Sequence, residues 1–150
     1  MAYRESTGMR NARLSGGDDF KALMEGGVID IYTGAQPANS DYLETGVKLA
    51  RISSTSGTAA TDGLKFGTAG VIAGVLPIGT PVWSGLVLAD GVAGWFRFYG
   101  TAGTSGSSSS QIRFDGACGV GGGELRLSHT NLVKDTTLTI RTANITEPAE

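Results

Sequence analysis

The chain has 150 residues, 24 of them glycine, and a formal net charge of −2. This length predicts one domain that buries a core of its own. The near-neutral balance excludes the broad basic surface of a nucleic-acid-binding protein. Abundant glycine with serine and threonine indicates many tight turns and short strands.

Secretion and membrane insertion are also not expected. Residues 1–13 are polar and charged, without the apolar segment of a secretion signal. No apolar run is long enough to cross a bilayer. Cys118 is the single cysteine, so no disulfide can form within the chain, and its apolar surroundings predict a small buried side chain. We therefore expect synthesis in a cytoplasm and no membrane partner.

The first 17 residues show no hydrophobic periodicity and are predicted to form an extended N-terminal arm. The β domain then covers residues 18–150. Arg4, Arg10 and Arg13 are the nearest approach to a basic cluster in the chain. We interpret these arginines as solvated residues of the arm or as contacts to another protein.

A short helix is predicted directly after the arm. Asp18 and Asp19 offer an N-cap and a first-turn acid, and three apolar side chains recur at helical spacing within residues 20–24. Gly26, with the glycine that follows it, supplies the stop. We expect this to be the only helix.

Alternating or apolar runs predict strands in the rest of the chain, and two long segments between them predict loops. The segment 33–46 is long for a connection, which suggests a surface or contact role. The segment 100–110 holds glycine, serine, threonine and one alanine, which predicts a flexible exposed loop. The run 70–76 fits either a strand or a buried loop. The predicted strands cover residues 28–32, 47–53, 64–66, 82–89, 92–99, 111–118, 124–128 and 136–145.

These elements predict an all-β fold, either a β-sandwich or a jelly-roll-like domain. It has about eight short strands, one short N-terminal helix and the extended arm. Strand number and spacing of this kind are typical of both architectures.

The run 82–99 is predicted to be a hairpin at the centre of the fold. Asp90-Gly91 separates two β-rich segments, and this dipeptide favours a two-residue type I′ turn. That turn would place Trp83 opposite Phe98 on one face. The other face is also largely apolar and needs a cover from another sheet, a loop or another protein. The candidate interface residues on this second face are Trp95, Arg97 and Tyr99.

The chain lacks the residue groups that carry catalysis or bind metals and cofactors. His129 is the only histidine, and no G-x-S-x-G elbow accompanies the neighbouring Ser128. A zinc site needs more histidine or cysteine ligands than one of each. The glycine cluster 119–123 matches neither a dinucleotide-binding loop nor a P-loop. We therefore predict no catalytic residue, no cofactor, no bound metal and no enzymatic activity.

Four stretches carry a resemblance to a known group of proteins: residues 27–38, 49–52, 94–99 and the closing strand 138–140 with its continuation 145–148. In these stretches the sequence resembles small virion structural proteins of tailed bacteriophages. The shared motifs are structural, so the resemblance transfers no catalytic residue.

The resemblance implies a virion location and a capsid decoration (cement) or minor capsid protein. Such a protein binds and stabilises the phage head through contacts with the major capsid protein or other virion proteins. A homo-oligomer is expected, with a trimer as one possibility. The alternative is a neck, tail or receptor-binding module of the virion. In a carbohydrate-binding module, Trp83, Trp95 or Tyr99 would stack on sugars from an exposed concave site.

Overall fold

The computed structural model describes residues 3–15, 19–67, 75–101, 104–141 and 145–146. These residues contain two α-helices, α1 (Thr7–Ser15) and α2 (Phe20–Met24), and a 3₁₀ turn at Ala60–Asp62. The strands are β1 (Arg4–Glu5), β2 (Val28–Thr33), β3 (Lys48–Ser54), β4 (Val75–Leu76), β5 (Trp83–Leu86), β6 (Gly91–Tyr99), β7 (Arg113–Gly119), β8 (Leu125–Arg126), β9 (Asn131–Leu132), β10 (Thr137–Ile140) and β11 (Ile145–Thr146).

Nine of these strands form one sheet with the order β1-β7-β6-β2-β3-β5-β10, while β8 pairs with β7 and β9 pairs with β6. The β7–β8 pair is parallel and the other pairs are antiparallel. The remaining two strands, β4 and β11, form a separate pair. The prediction of an all-β fold with a short helix near the N-terminus is confirmed.

The sheet curls so that distant strands face each other across an aromatic core. Trp83 of β5 lies edge-on to Phe98 of β6, with ring centroids 6.0 Å apart, although β2 and β3 separate these strands in the sheet. Phe66 lies 5.5 Å from Trp83 and 6.0 Å from Phe98. Phe20 of α2 adds contacts to Phe66 and Phe114. The β-rich fold is therefore sandwich-like, with one core between the two halves of the sheet.

The helix predicted after the arm is present as α2. The carboxylate of Asp19 accepts a hydrogen bond from the backbone N–H of Ala22 at 2.7 Å, so Asp19 is its N-cap. Asp18, the other predicted capping residue, lies outside the described part of the chain. Met24 is fully buried at the last turn, where the helix packs against the core.

The hairpin predicted at 82–99 is not formed. β5 pairs with β3 and β10, and β6 pairs with β2, β7 and β9. Gly91 is already the first residue of β6, opposite Leu132, and the Asp90 carboxylate accepts a hydrogen bond from the N–H of Lys134 at 2.7 Å. Long-range pairing therefore overrides the local turn signal. Trp83 and Phe98 are in contact, but they pack across the core and are not paired on neighbouring strands.

Residues 3–15 differ from the extended arm predicted for residues 1–17. They form β1, which pairs with β7, and the helix α1. The N–H and hydroxyl of Thr7 donate to the carboxylate of Asp41 at 2.7 and 2.6 Å, and the N–H of Met9 donates to the Ser6 hydroxyl at 3.0 Å. One cap, the Ser6 hydroxyl, is local, but the second comes from Asp41 in a loop 34 residues away, so the sequence pattern shows only part of what holds α1.

The apolar run predicted at 70–76 lies mostly outside the described residues. Its last two residues form β4 and pair with β11, in register Val75 with Thr146 and Leu76 with Ile145. Between β10 and β11, residues 142–144 also lie outside the described part. The last strand predicted at 136–145 therefore corresponds to β10 and the start of β11.

Candidate functional site: a row of charges beneath two loops

Five charged residues form a row across five neighbouring strands of the sheet. The strand register places each residue directly opposite the next, and the sign of the charge alternates along the row. We call this set the charge row. In spatial order from β3 to β1 it consists of Arg51, Asp30, Arg97, Asp115 and Arg4. Opposite charges on directly facing residues stabilise a sheet, and a buried charge requires such a partner.

Two bidentate ion pairs join four of the five residues of the charge row. The Arg97 guanidinium donates to both carboxylate oxygens of Asp115 at 2.7 and 2.8 Å. Arg51 binds Asp30 in the same way at 2.7 and 2.8 Å, and Lys48 approaches Asp30 at 3.1 Å. Arg97 and Asp115 are fully buried, whereas the Arg51 side chain remains half exposed. Bidentate geometry gives these pairs direction as well as attraction.

Aromatic rings flank the charge row on the same face of β6. Residues two apart on a strand share a face, so Trp95 and Tyr99 lie on either side of Arg97. Trp95 stacks on Tyr32 with centroids 4.7 Å apart and an interplanar angle of 16°. The Arg97 guanidinium lies 5.5 Å from the centroid of the Trp95 ring, within cation–π range.

The segment 34–47 covers this face, and we call it the cover loop. Its carbonyl groups accept hydrogen bonds from side chains of β6. Arg97 donates to the Tyr42 carbonyl at 2.8 Å, and the Trp95 indole N–H donates to the Thr45 carbonyl at 3.2 Å. The second face of β6 was predicted to need another sheet, a loop or another protein as its cover. A loop of the same chain supplies it.

Glu44 is the residue of the cover loop that joins most partners. Its carboxylate accepts hydrogen bonds from the Tyr99 hydroxyl at 2.5 Å, from Arg97 at 3.1 Å and from the N–H of Gly106 at 3.0 Å. Burial alone would raise the pKa of Glu44, but these hydrogen bonds and the Arg97 charge outweigh it and lower the pKa. Burial and the bond to Glu44 raise the pKa of Tyr99, and burial raises that of Tyr32 to about 12.

Arg113 fastens the serine- and glycine-rich segment 104–110. Its guanidinium donates to the carbonyl oxygens of Gly106 at 2.7 Å, Ser108 at 3.1 Å and Asp41 at 3.1 Å. Its Nε is buried without a hydrogen-bond partner, and burial, followed by repulsion from Arg97, lowers its pKa. The segment 104–110 is a mostly exposed loop, as predicted for 100–110, but some of its carbonyl oxygens bind Arg113, a contact that its composition does not reveal.

The acid dependence of stability follows from the lowered pKa of Glu44. A carboxylate whose pKa is lower in the folded state stabilises that state above its unfolded pKa. This contribution is lost as the pH falls through the folded value. We expect Glu44→Gln to lower the free energy of unfolding at pH 7 by about 1.5–3 kcal/mol, the range for hydrogen bonds to a charged group.

Urea unfolding of wild type and Glu44→Gln between pH 7 and pH 3 measures this effect. The two curves should converge at the acid end, because protonation removes in the wild type the charge that the variant already lacks. Glu25→Gln is the matched control, since Glu25 makes only a partly exposed ion pair at 3.9 Å. A constant gap between the Glu44→Gln and wild-type curves at every pH would contradict the assignment.

The structure divides the six predicted interface residues into two groups. Trp95, Arg97 and Tyr99 are at most 1% exposed beneath the cover loop, so they offer no surface to a partner in this structure. Among the three arginines, Arg4 lies at the end of the charge row and donates to the carbonyl of Pro37 at 2.9 Å. Arg10 and Arg13 lie on the exposed side of α1, and Arg13 pairs with Glu5 at 2.5 Å.

Sequence reasoning did not single out five residues of this network: Asp30, Glu44, Arg51, Arg113 and Asp115. The available signal was a charged residue in the middle of a strand whose neighbours are apolar, as at Asp30 and Asp115. A charge there either faces solvent or requires a buried partner. The partner itself cannot be identified from the sequence, because Arg97 and Asp115 are 18 residues apart and meet through strand register.

The side chains considered for catalysis lie outside the charge row. The Ser128 hydroxyl and His129 Nδ1 share a hydrogen bond of 3.0 Å at an exposed position. Burial, with a smaller contribution from Glu124, raises the pKa of the Cys118 thiol to about 12, which keeps it protonated at neutral pH. The described residues contain no group of three or more histidine, cysteine, aspartate or glutamate side chains arranged to hold a metal ion.

Neither described helix has the length and apolar character needed to span a bilayer.

No family model, curated protein or solved structure matches this chain. The chemistry of the charge row is therefore inferred from its own geometry. Arg97 and Asp115 use their polar atoms on each other and on the cover loop. An arrangement that uses its donors and acceptors internally can hold loops in place.

Proposed function

We propose that this protein is a structural component of a bacteriophage virion. It acts as a capsid decoration or minor capsid protein that stabilises the head through contacts with the major capsid protein or other virion proteins. The observation that carries the proposal is a fastened interior beneath a surface with exposed apolar side chains. The Glu44 carboxylate and the Tyr42 and Thr45 carbonyls bind side chains of β6, while the side chains of Tyr42, Leu43 and Val47 are exposed.

The interior suits a protein that must keep its shape on a particle surface. The bidentate pairs join β6 to β7 and β3 to β2. The carbonyl bonds of Arg97 and Arg113 then connect β6 and β7 to the cover loop and to the segment 104–110. A surface that is already ordered loses little conformational entropy when it binds. Repeated contacts, multiplied by symmetry, then give strong attachment from individually modest interfaces.

The exterior suits contact with other proteins. Tyrosine and apolar side chains are the usual anchors of protein interfaces, and clustered exposed apolar residues mark binding surfaces. Among the described residues, ten large apolar side chains are about half exposed or more: Leu14, Tyr42, Leu43, Val47, Val82, Leu86, Leu88, Val92, Val120 and Val133.

The carbohydrate-binding alternative requires Trp83, Trp95 or Tyr99 to be exposed. The three residues are 0%, 1% and 1% exposed, since Trp83 lies in the core and the other two lie beneath the cover loop. This burial favours the contact-making role over a sugar-stacking role. A neck or tail location, in contrast, uses the same kind of surface and is separated from a head location by copy number.

The copy number of this chain in purified virions tests the proposal. Quantitative mass spectrometry, with the major capsid protein as the internal reference, would measure it in washed particles of the phage that encodes the chain. We expect hundreds of copies per particle. A handful of copies would favour the neck or tail, and absence from washed particles would reject the virion role.

A further inference from the structure

Beyond the virion role, we propose that copies of this chain associate head to tail through two different surfaces. One is the loop face, formed by Tyr42 and Leu43 of the cover loop with Arg10 and Leu14 of α1. The other is the sheet-end face, formed by Leu86, Leu88, Asp90, Val92, Val133 and Asp135. This inference shares with the proposed function the premise that the exposed apolar side chains bind other protein chains.

The loop face presents two exposed side chains, Tyr42 and Leu43, on a backbone that hydrogen bonds to buried residues hold in place. Tyr42 and Leu43 are 56% and 60% exposed. The residues on either side point inward, where the Asp41 carboxylate accepts from Thr7 and the Glu44 carboxylate accepts from Tyr99 and Arg97. The Tyr42 carbonyl itself accepts from Arg97 at 2.8 Å. Two large apolar side chains on so constrained a backbone are suited to serve as anchors.

Helix α1 extends this face and gives it a positive charge. The Arg10 guanidinium donates to the Thr7 hydroxyl at 2.9 Å, and that hydroxyl donates to Asp41. Arg10 is exposed, and its bond is to a neutral hydroxyl. Leu14, four residues further along the helix and 87% exposed, lies on the same side.

The sheet-end face combines branched apolar side chains with carboxylates. Leu86 and Leu88 flank Val87 and are 47% and 49% exposed. The backbone of Val87 bonds to Asp135 and Thr136, so the turn that carries Val133 lies against this segment. The other four residues of this face lie near the start of β6 or in the turn before β10, and all are exposed: Asp90, Val92, Val133 and Asp135.

The two faces complement each other and lie apart. Each offers apolar anchors. Asp90 and Asp135 outnumber the one cation among them, the exposed Lys134, so the sheet-end face keeps a net negative charge opposite Arg10, which favours the contact and its orientation. Val92 and Arg97, which bonds to Tyr42, are five residues apart on β6, or about 17 Å at the usual rise of a strand. When one surface of a molecule binds a different surface of the next copy, the contact is heterologous. Such contacts close into a ring when the rotation between successive copies allows it.

The experiment uses one disrupting substitution on each face of the full-length chain. Leu43→Asp places a carboxylate among the anchors of the loop face, and Leu88→Asp does so on the sheet-end face. Val120→Asp is the matched control, because Val120 is 62% exposed on the glycine loop 119–123 and belongs to neither face. Light scattering coupled to size-exclusion chromatography would give the molar mass of each protein and of mixtures.

We expect the wild type and Val120→Asp to exceed the monomer mass, and Leu43→Asp and Leu88→Asp to be monomeric on their own. An equimolar mixture of these two variants should form a dimer, because one variant retains an intact sheet-end face and the other an intact loop face. Circular dichroism verifies that each variant is folded. If Leu43→Asp does not fold, Leu43→Ser replaces it.

Three results would overturn the inference: a wild type that is monomeric at its highest attainable concentration, an assembly that survives either substitution, or a mixture that stays monomeric. A monomeric wild type that is nevertheless abundant in virions would reject only the head-to-tail contact. It would point to a different protein as the partner of both faces. An assembled wild type that is absent from virions would reject only the virion role.

Discussion

Asp115→Asn is expected to lower the free energy of unfolding by about 3 kcal/mol, at the lower end of the range for breaking a buried ion pair. Asp115 and Arg97 are both fully buried and joined by bonds of 2.7 and 2.8 Å. The substitution keeps the shape of the side chain and removes its charge. Within the described part of the chain, Arg97 then retains Glu44, at 3.1 Å, as its one ion-pair partner. Urea unfolding followed by tryptophan fluorescence measures the change.

The control is Glu25→Gln, which also replaces a carboxylate with its amide. Glu25 makes only a partly exposed ion pair at 3.9 Å and belongs to neither proposed contact face. We expect this control to stay within about 0.5 kcal/mol of wild type. Equal losses for the two variants would show that the ion pair of the charge row is not a source of stability.

The double substitution Arg97→Met with Asp115→Leu separates the pair from the cost of an orphaned charge. Replacing both partners with apolar residues removes two buried charges together, which in other proteins is often neutral or stabilising. We therefore expect the double variant to be more stable than Asp115→Asn. It should nevertheless hold the cover loop less firmly, since the Tyr42 carbonyl and Glu44 both lose a donor.

Trp83→Ala is expected to cost about 3–5 kcal/mol, the range for truncating a large core aromatic residue. Trp83 is fully buried, contacts Phe66 and Phe98, and donates its indole N–H to the carbonyl of Lys65 at 3.0 Å. The truncation leaves a cavity between the two halves of the sheet and removes the donor of that bond. Thermal unfolding followed by circular dichroism measures the loss.

Val82→Ala is the control for this prediction. Val82 precedes Trp83 in the chain and is 47% exposed, so its truncation removes little buried area. We expect a change within about 0.5 kcal/mol. A Trp83→Ala variant as stable as Val82→Ala would contradict the position of Trp83 at the centre of the core.

Local patterns in the sequence were enough to place most strands and the helix α2. The alternation of apolar residues at Val28–Thr33 and Lys48–Ser54 reflects strands with one face in the core. The cap at Asp19 follows from a side chain and a backbone N–H three residues apart. Such features depend on neighbours in the chain, and a sequence shows these directly.

Features that depend on distant neighbours could not be predicted in the same way. The dipeptide Asp90-Gly91 carries a hairpin signal, yet Gly85 packs so closely against the Arg51 carbonyl that an added Cβ would lie 2.0 Å from its oxygen. That contact accompanies the pairing of β5 with β3, which the turn signal does not encode. Likewise, one of the two caps of α1 comes from the distant Asp41, and the charge row depends on the register of five strands.

Hydrogen exchange at the backbone amides of Gly106 and Ser108 tests most directly whether the charge row, the cover loop and the segment 104–110 form one rigid unit. The N–H of Ser108 donates to the Asp41 carbonyl at 2.8 Å, and that of Gly106 to the Glu44 carboxylate at 3.0 Å. We predict that both amides exchange far more slowly than in an unstructured peptide, and that Arg113→Met accelerates them without unfolding the sheet. Exchange in the wild type at the rate of an unstructured peptide would contradict this account.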